Sequence, residues 1–162
     1  MVFRAIPSVL GVSKQHNFEL NSITVPRKPK EAVGAICKLK DKSTQKEITI
    51  NVEYNQLDPL MKSLGGEPVD KDGYSLFPGN INSLIFSLKE YRVILEESKG
   101  LICEFINPKY ADDTKTLFKS ASRLECMMQE YPKLLKNADR VGFTQIDRRF
   151  CFSAVKNDIV TA

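Results

Sequence analysis

Residues 47–54, EITINVEY, alternate strictly between apolar and polar side chains. One face carries Ile48, Ile50, Val52 and Tyr54, and the other carries Thr49, Asn51, Glu53 and Asn55. A period of two residues predicts a β-strand whose apolar face is buried. Because burial of that face turns the other one away from the core, we expect Glu53 and Asn55 to project together toward the opposite side.

The segments before this strand also favour a sheet. Val33 to Leu39, VGAICKL, is apolar enough for a buried strand, and the polar turn from Lys40 to Gln45 joins it to the strand above as a hairpin. Phe18 to Val25 alternates more loosely and ends at Pro26, which predicts another strand. The sheet is therefore expected to dominate the N-terminal part of the chain.

Three segments predict helices. Ala5 to Gln15 is typical of a short helix or turn closed by Gly11. Apolar residues from Ile81 to Leu95 recur at helical spacing, with Asn80 as the N-cap or as a ligand contact. Ser122 to Leu135 begins with SRLE, a capping box, and continues with an apolar stripe.

Further strands are predicted at Leu101 to Ile106 and in two apolar stretches, VGFTQI and FCFSAV, between residues 141 and 155. The resulting order predicts a mixed α/β fold. With 162 residues, 42% of them apolar, and no linker or repeat, the chain fits one domain.

The composition excludes several classes of protein. No apolar run approaches the roughly 18 residues of a membrane span, and no secretory signal precedes the first strand, so we expect a cytoplasmic protein. The cysteines form no C-x-x-C pair, and the chain has a single histidine, which argues against a zinc site and a disulfide framework. We expect buried free thiols; the cysteines are Cys37, Cys103, Cys126 and Cys151.

The net charge of +4 is unevenly distributed. The first 50 residues carry nine basic and four acidic side chains, and the basic ones are densest at Arg27, Lys28 and Lys30. A phosphate-bearing ligand and a solvated loop both explain such a cluster. Without aromatic interleaving or a nucleic-acid motif, the charge alone favours the solvated loop, and no nucleic-acid partner is expected.

The residues alone identify no catalytic centre. The glycine-rich loops that bind phosphate are missing, and His16 has no recognisable catalytic partner. The polar face with Asn51, Glu53 and Asn55 suits hydrogen bonding to a polyhydroxylated ligand. It also suits a solvated strand face, and the residues alone favour this second explanation.

Long blocks of the chain resemble a known family. They are VPRKPKEAVGAICKL (25–39), INVEYNQLDPL (50–60), GYSLFPGNINSLI (73–85), residues 104–133 with RLECMMQ, and FSAVKND (152–158). In this order they are similar to blocks of the UDP-sugar pyrophosphorylases, which make UDP-sugars and pyrophosphate from UTP and sugar 1-phosphates. The resemblance implies a mixed-sheet part of a glycosyltransferase-A-like, Rossmann-like catalytic domain.

The resemblance also implies site residues. Gly34 is similar to a glycine that lines the nucleotide-sugar pocket, and Glu53 resembles a glutamate that accepts hydrogen bonds from sugar hydroxyls. Asn80 resembles an asparagine that contacts the sugar, and Lys156 resembles a lysine near the phosphates. The strand argument adds Asn55 as a substrate-binding residue.

Transfer between two polyanions requires cations. Lys156 is the first candidate for this catalytic role, followed by Arg123 and Lys119. Arg27 and Lys28 are candidates for outer phosphate contacts.

One departure from the family is large. Its members carry, upstream of these blocks, a glycine-rich loop for the pyrophosphate of UTP and residues that recognise uracil, and these 162 residues contain neither. We therefore expect residues 1–162 to be a partial catalytic domain, the sugar-binding half, which is inactive without the missing segments. Its parent enzyme is expected to need Mg²⁺. The alternative is a non-catalytic module for nucleotide-sugar binding or subunit contact. The block VEYNQLDP favours a broad sugar specificity, by resemblance only.

Overall fold

The computed structural model describes residues 4–106, 108–114 and 116–153. The strands are β1 (Leu20–Val25), β2 (Ala35–Lys40), β3 (Glu47–Val52), β4 (Gly79–Phe86), β5 (Glu104–Ile106), β6 (Leu124–Cys126) and β7 (Val141–Gln145). The helices are α1 (Ile6–Gln15), α2 (Tyr54–Ser63), α3 (Leu88–Ser98) and α4 (Arg148–Cys151), with 3₁₀ helices at Met128–Leu134 and Ala138–Arg140. The predicted mixed α/β fold is confirmed.

Five strands form one mixed sheet in the order β3-β2-β4-β1-β7. β1 pairs antiparallel with β4 and parallel with β7, and β2 and β3 form the predicted hairpin. The hairpin joins the rest of the sheet at the pair Ala35 and Gly79. β5 and β6 form a separate two-stranded sheet.

The burial of β1, an internal strand of the sheet, explains its loose alternation. All six residues of β1 are buried, so neither face had to be polar for solubility. The polar side chain of Asn21 is satisfied internally, because its Nδ2 lies within hydrogen-bonding distance of Ser13 Oγ (2.8 Å) and Thr144 Oγ1 (2.9 Å). These contacts join α1, β1 and β7.

Two apolar clusters hold the helices against the sheet. The first contains Leu20, Ile94, Tyr131 and Val141 and fixes α3. In it the ring of Phe86 meets that of Tyr131 edge to face at 5.0 Å. The second contains Ala35, Cys37, Leu57 and Met61 and fixes α2 against the hairpin.

One predicted helix, from Ile81 to Leu95, is confirmed only from Leu88 onward, and the one from Ser122 is wrong. Residues 79–86 form β4, and the helix begins only at Leu88, so Asn80 is a strand residue and not an N-cap. A short apolar run is compatible with both the helical and the strand period. The pairing of this segment with β1 makes it a strand. The segment from Ser122 forms β6 and then a 3₁₀ helix, because β6 pairs with β5 and Pro132 cannot donate a helical hydrogen bond.

Smaller corrections concern the two ends of the described chain. α1 continues through Gly11 and ends at Gln15, where Asn17 adopts a left-handed φ of 53°. Of the two predicted C-terminal strands, VGFTQI corresponds to β7, whereas FCFSAV begins inside α4. Residues 154 and 155 lie outside the described residues.

All four cysteines are free, but the expectation that they are buried holds only in part. Cys37 is buried, Cys151 is half-buried, and Cys103 and Cys126 are exposed. Within the described residues, none of the helices combines the length and the apolar character that a bilayer span requires.

We expect the thiols to differ in reactivity. Burial raises the pKa of Cys37 to about 11, so about 0.1% of it is thiolate at pH 8. With an aromatic disulfide reagent, Cys103 and Cys126 should react first, and Cys37 should react last and accelerate in urea. Cys37→Ser should remove only the slowest phase; loss of a fast phase would contradict the burial.

A steric prediction concerns Gly142. A Cβ added there would lie 2.1 to 2.5 Å from ring atoms of Phe18, which stacks on His16 at 5.3 Å. Gly142→Ala should therefore lower the free energy of unfolding by about 1–3 kcal/mol in urea titrations. Gly11→Ala is the matched control, because nothing lies within 4 Å of its added Cβ, and it should raise stability by about 1 kcal/mol. Equal stability of the two variants would contradict the tight contact.

Candidate functional site

Three predicted site residues meet where β2 begins, β3 ends and β4 begins. Gly34 directly precedes β2, Glu53 directly follows β3, and Asn80 is the second residue of β4. The backbone N–H of Asn80 donates to the carbonyl oxygen of Gly34 at 2.7 Å. The resemblance assigned these residues to one pocket, and the structure brings them together.

Asn51 connects these three residues. Its Nδ2 donates to Glu53 Oε1 at 2.7 Å, and its Oδ1 accepts from Asn80 Nδ2 at 3.0 Å. Asn51 is 7% exposed and Asn80 is 8% exposed, so both amides lie within the protein. We call Gly34, Asn51, Glu53 and Asn80 the amide cluster.

The missing side chain of Gly34 provides the space that the amide of Asn51 occupies. A Cβ on Gly34 would lie 2.5 Å from Asn51 Oδ1 and 3.1 Å from Glu53 Oε1. Carbon and oxygen atoms cannot approach as closely as 2.5 Å without a bond, so any side chain here would displace the amide. The glycine is thus required by its neighbours within the protein.

A β-bulge in β4 orients Asn80. Ile23 pairs with Ser83, and the next residue of β1, Thr24, pairs with Asn80, which leaves Ile81 and Asn82 as extra residues. Asn82 has a φ of 59°, in the left-handed region that asparagine tolerates well. Its backbone N–H donates to Asn80 Oδ1 at 2.9 Å. Bulges commonly re-aim a side chain in this way.

Glu53 is half-buried and has capacity for a further contact. It occupies the N-cap position of α2, yet its carboxylate makes no capping bond to the helix. Oε1 is bonded to Asn51, and Oε2 has no hydrogen-bond partner among the described residues. The second oxygen is therefore available to accept a hydroxyl group.

The prediction that Asn55 shares a strand face with Glu53 is wrong. β3 ends at Val52 and α2 begins at Tyr54, so Asn55 is an exposed residue of the first turn of a helix. The polar face of β3 is also the more deeply buried one, since Thr49 and Asn51 are buried whereas Ile48, Ile50 and Val52 are half-buried. β3 packs against the 3₁₀ helix Met128–Leu134, which covers that face.

Sequence reasoning named Asn51 on the polar face with Glu53 but did not include it among the substrate-binding residues. Its position two residues before Glu53 on that face was the available signal.

The predicted catalytic cations lie apart from the cluster or beyond the described chain. Lys119 and Arg123 are exposed on the segment between β5 and β6, and in the described part of the protein neither contacts the amide cluster. Lys156 lies outside the described residues. The roles of all three stay predictions.

Arg27 is a structural residue, contrary to the expectation of an outer phosphate contact. It is 1% exposed and forms an ion pair with Glu67, and its Nη1 also donates to Ser75 Oγ at 3.2 Å. This pair fixes the loop after α2 beside the end of β1. A buried arginine that is already paired has no free surface for a phosphate.

Lys28 lines an open groove of about 780 Å³ beyond the ends of β1 and β7. Its ammonium lies 5.9 Å from the centre of the Tyr74 ring. The other charged residues of the groove are Lys30, Glu31, Asp147, Arg148 and Arg149. Arg148 pairs with Glu31, and Arg149 pairs with Asp147 at 2.7 Å and lowers the pKa of that carboxyl to about 2. The groove is therefore only moderately basic.

The sequence matches no protein-family model. It is 50% identical to a UDP-sugar pyrophosphorylase of Oryza sativa subsp. indica over 161 residues, which are 98% of this chain and 26% of that protein. The chain thus spans about a quarter of the length of this relative. The resemblance inferred from the sequence blocks is confirmed.

Two solved structures share the fold. The UDP-N-acetylglucosamine pyrophosphorylase of Trypanosoma brucei aligns with a TM-score of 0.61 and 21% identity, over 96% of this chain and 29% of that one. A mutant UDP-glucose pyrophosphorylase of Leishmania major, in complex with UDP-glucose, aligns with a TM-score of 0.56 and 21% identity, over 91% of this chain and 31% of that one. The chain therefore shares the fold of the corresponding part of these two proteins.

The crowding at Gly34 predicts a thermodynamic coupling. Gly34→Ala should lower the free energy of unfolding by about 1–3 kcal/mol, because the added methyl group displaces the Asn51 amide. In the background of Asn51→Ala the space is free, and the same change should cost less than about 0.5 kcal/mol. Urea unfolding of the four proteins of this double-mutant cycle measures the coupling, and additive effects would contradict the contact.

Proposed function

We propose that this chain supplies the sugar-binding part of a UDP-sugar pyrophosphorylase. This enzyme makes UDP-sugar and pyrophosphate from UTP and a sugar 1-phosphate. The observation that carries the proposal is the amide cluster, in which Asn51 connects three residues assigned by resemblance to a nucleotide-sugar pocket. The 50% identity to a UDP-sugar pyrophosphorylase supports the same conclusion.

The chemistry of the cluster suits a sugar. A sugar offers several hydroxyl groups that can donate, and a carboxylate accepts their hydrogen bonds more strongly than a neutral oxygen does. Glu53 presents Oε2 for this contact, and the resemblance assigns a second sugar contact to Asn80. Gly34 carries no side chain, and this leaves room for the Asn51 amide beside Glu53.

The transfer step itself needs positive charge. An oxygen of the sugar 1-phosphate attacks the α-phosphorus of UTP, a new P–O bond forms, and the bond to the leaving pyrophosphate breaks. Two polyanions thus meet, and cations must offset their repulsion. We assign the first such role to Lys156 and secondary ones to Arg123 and Lys119, with Lys28 as an outer phosphate contact.

The proposal includes Mg²⁺, which would neutralise UTP phosphates. The described residues contain no group of three or more His, Cys, Asp or Glu side chains that could hold a metal ion. They therefore do not supply a resident metal site, and we derive no step through the ion. We also propose a cytoplasmic location, which the four free cysteines favour.

The remaining parts of UTP recognition are assigned to segments outside these 162 residues. These 162 residues contain neither the glycine-rich loop that binds the pyrophosphate of UTP nor the residues that recognise uracil. We accordingly propose that the 162 residues are a partial catalytic domain that is inactive alone.

An activity assay tests the proposal. With UTP, glucose 1-phosphate and Mg²⁺, the full-length gene product that contains this sequence should release pyrophosphate, and the 162 residues alone should release none. Glu53→Ala in the full-length product should raise KM for glucose 1-phosphate by about 10- to 100-fold, because a hydrogen bond to a charged group is lost. KM for UTP should change little.

Glu96→Ala, at an exposed position of α3, is the matched control and should leave both constants unchanged. A full-length product that binds UDP-glucose without turnover would favour the non-catalytic binding module instead. Turnover by the isolated 162 residues would contradict the proposed division of the site.

A further inference from the structure

Asn51 touches every other member of the amide cluster. It donates to Glu53, accepts from Asn80, and fills the space above Gly34. It is nevertheless buried, whereas Glu53 is half-buried and therefore more accessible to a ligand. Asn51 thus lies behind Glu53, the more accessible carboxylate of the cluster.

The hydrogen bonds of the cluster run in one direction. The series begins at the backbone N–H of Asn82, which can only donate, so the oxygen of the Asn80 side chain must face it. The Nδ2 of Asn80 then faces Asn51 and donates to Asn51 Oδ1. The Nδ2 of Asn51 is therefore directed at Glu53 and donates to its Oε1. The orientation of both side-chain amides is therefore fixed by the backbone of the bulge.

The end of this series is one oxygen of the Glu53 carboxylate. A donor at 2.7 Å restricts the rotation of a carboxylate that sits at the exposed start of a helix. It holds Oε1 inward, so Oε2 has one direction in which to accept a hydroxyl group. Without Asn51, the side chain of Glu53 would be free to turn into solvent.

We infer that Asn51 is a positioning residue for the sugar, and that it acts by fixing the carboxylate of Glu53. The inference rests on the proposed function. It deepens that function by naming the group that sets the geometry of the sugar contact. Misplacement of a contact group by about 1 Å can cost up to about 100-fold in an enzyme site.

Binding of UDP-glucose and of UDP to the full-length gene product separates this role from a purely structural one. We define the sugar increment as the Kd for UDP divided by the Kd for UDP-glucose, both measured by calorimetry. Asn51→Leu is similar in volume and cannot donate; it should reduce the increment by about 10- to 100-fold and leave the Kd for UDP within about twofold. An unchanged Kd for UDP shows that the variant is folded.

Two further variants sharpen the test. Thr49→Val is the matched control, because Thr49 lies on the same face of β3, is also buried and does not touch Glu53; it should leave the increment unchanged. Asn51→Asp retains the oxygen that accepts from Asn80 but loses the donor to Glu53. It should lose the increment as Asn51→Leu does, and it serves in its place if the leucine variant does not fold.

A double-mutant cycle shows whether Asn51 acts through Glu53. Glu53→Ala alone should abolish most of the increment, and Asn51→Leu added to it should have no further effect, because no carboxylate remains to be positioned. Additive losses, or an unchanged increment in Asn51→Leu, would overturn the inference while leaving the proposed function intact. A wild-type protein that binds UDP-glucose no more tightly than UDP would overturn the proposed function, and the inference with it.

Discussion

The absence of a side chain at Gly34 is the constraint on which the arrangement of the sheet and of the site depends. The start of β2, the end of β3 and the start of β4 converge there, and the amide of Asn51 occupies the volume that a methyl group would take. The same approach lets Asn80 bond to the Gly34 carbonyl through its backbone and to Asn51 through its side chain. One close contact therefore joins the strands and organises their polar groups.

Burial makes this network directional as well as stable. In an environment with little water, each amide must find a partner in the protein, and hydrogen bonds in series polarise one another. The series starts at a backbone group of the bulge, which the pairing of β4 with β1 holds in place. The series ends at the carboxylate of Glu53, which is only half-buried. The buried hydrogen bonds therefore restrict the motion of a group that a ligand can reach.

Local pattern was sufficient for β1, β2, β3, β5 and β7 and for part of the site. The alternation around Ile48 and Ile50 predicted β3 and placed Asn51 and Glu53 on one face. It could not show which face is covered, because the 3₁₀ helix that covers it lies about 80 residues later in the chain. For the same reason β4 was predicted as a helix: its apolar run fits both periods, and only pairing with β1 decides between them. Asn55 was misassigned because the strand ends two residues earlier than its alternation does.

The parallel pairing of β1 with β7 has a consequence for how the protein is made. Leu20 pairs with Val141, so β1 receives its last neighbour about 120 residues after it leaves the ribosome. At typical rates of synthesis this delay is about 6 to 24 s. During that time one edge of β1 has no partner, and an unpaired strand edge can pair with another chain. The side chain of Asn21, near the start of that strand, likewise has its partner Thr144 only after β7 has been made.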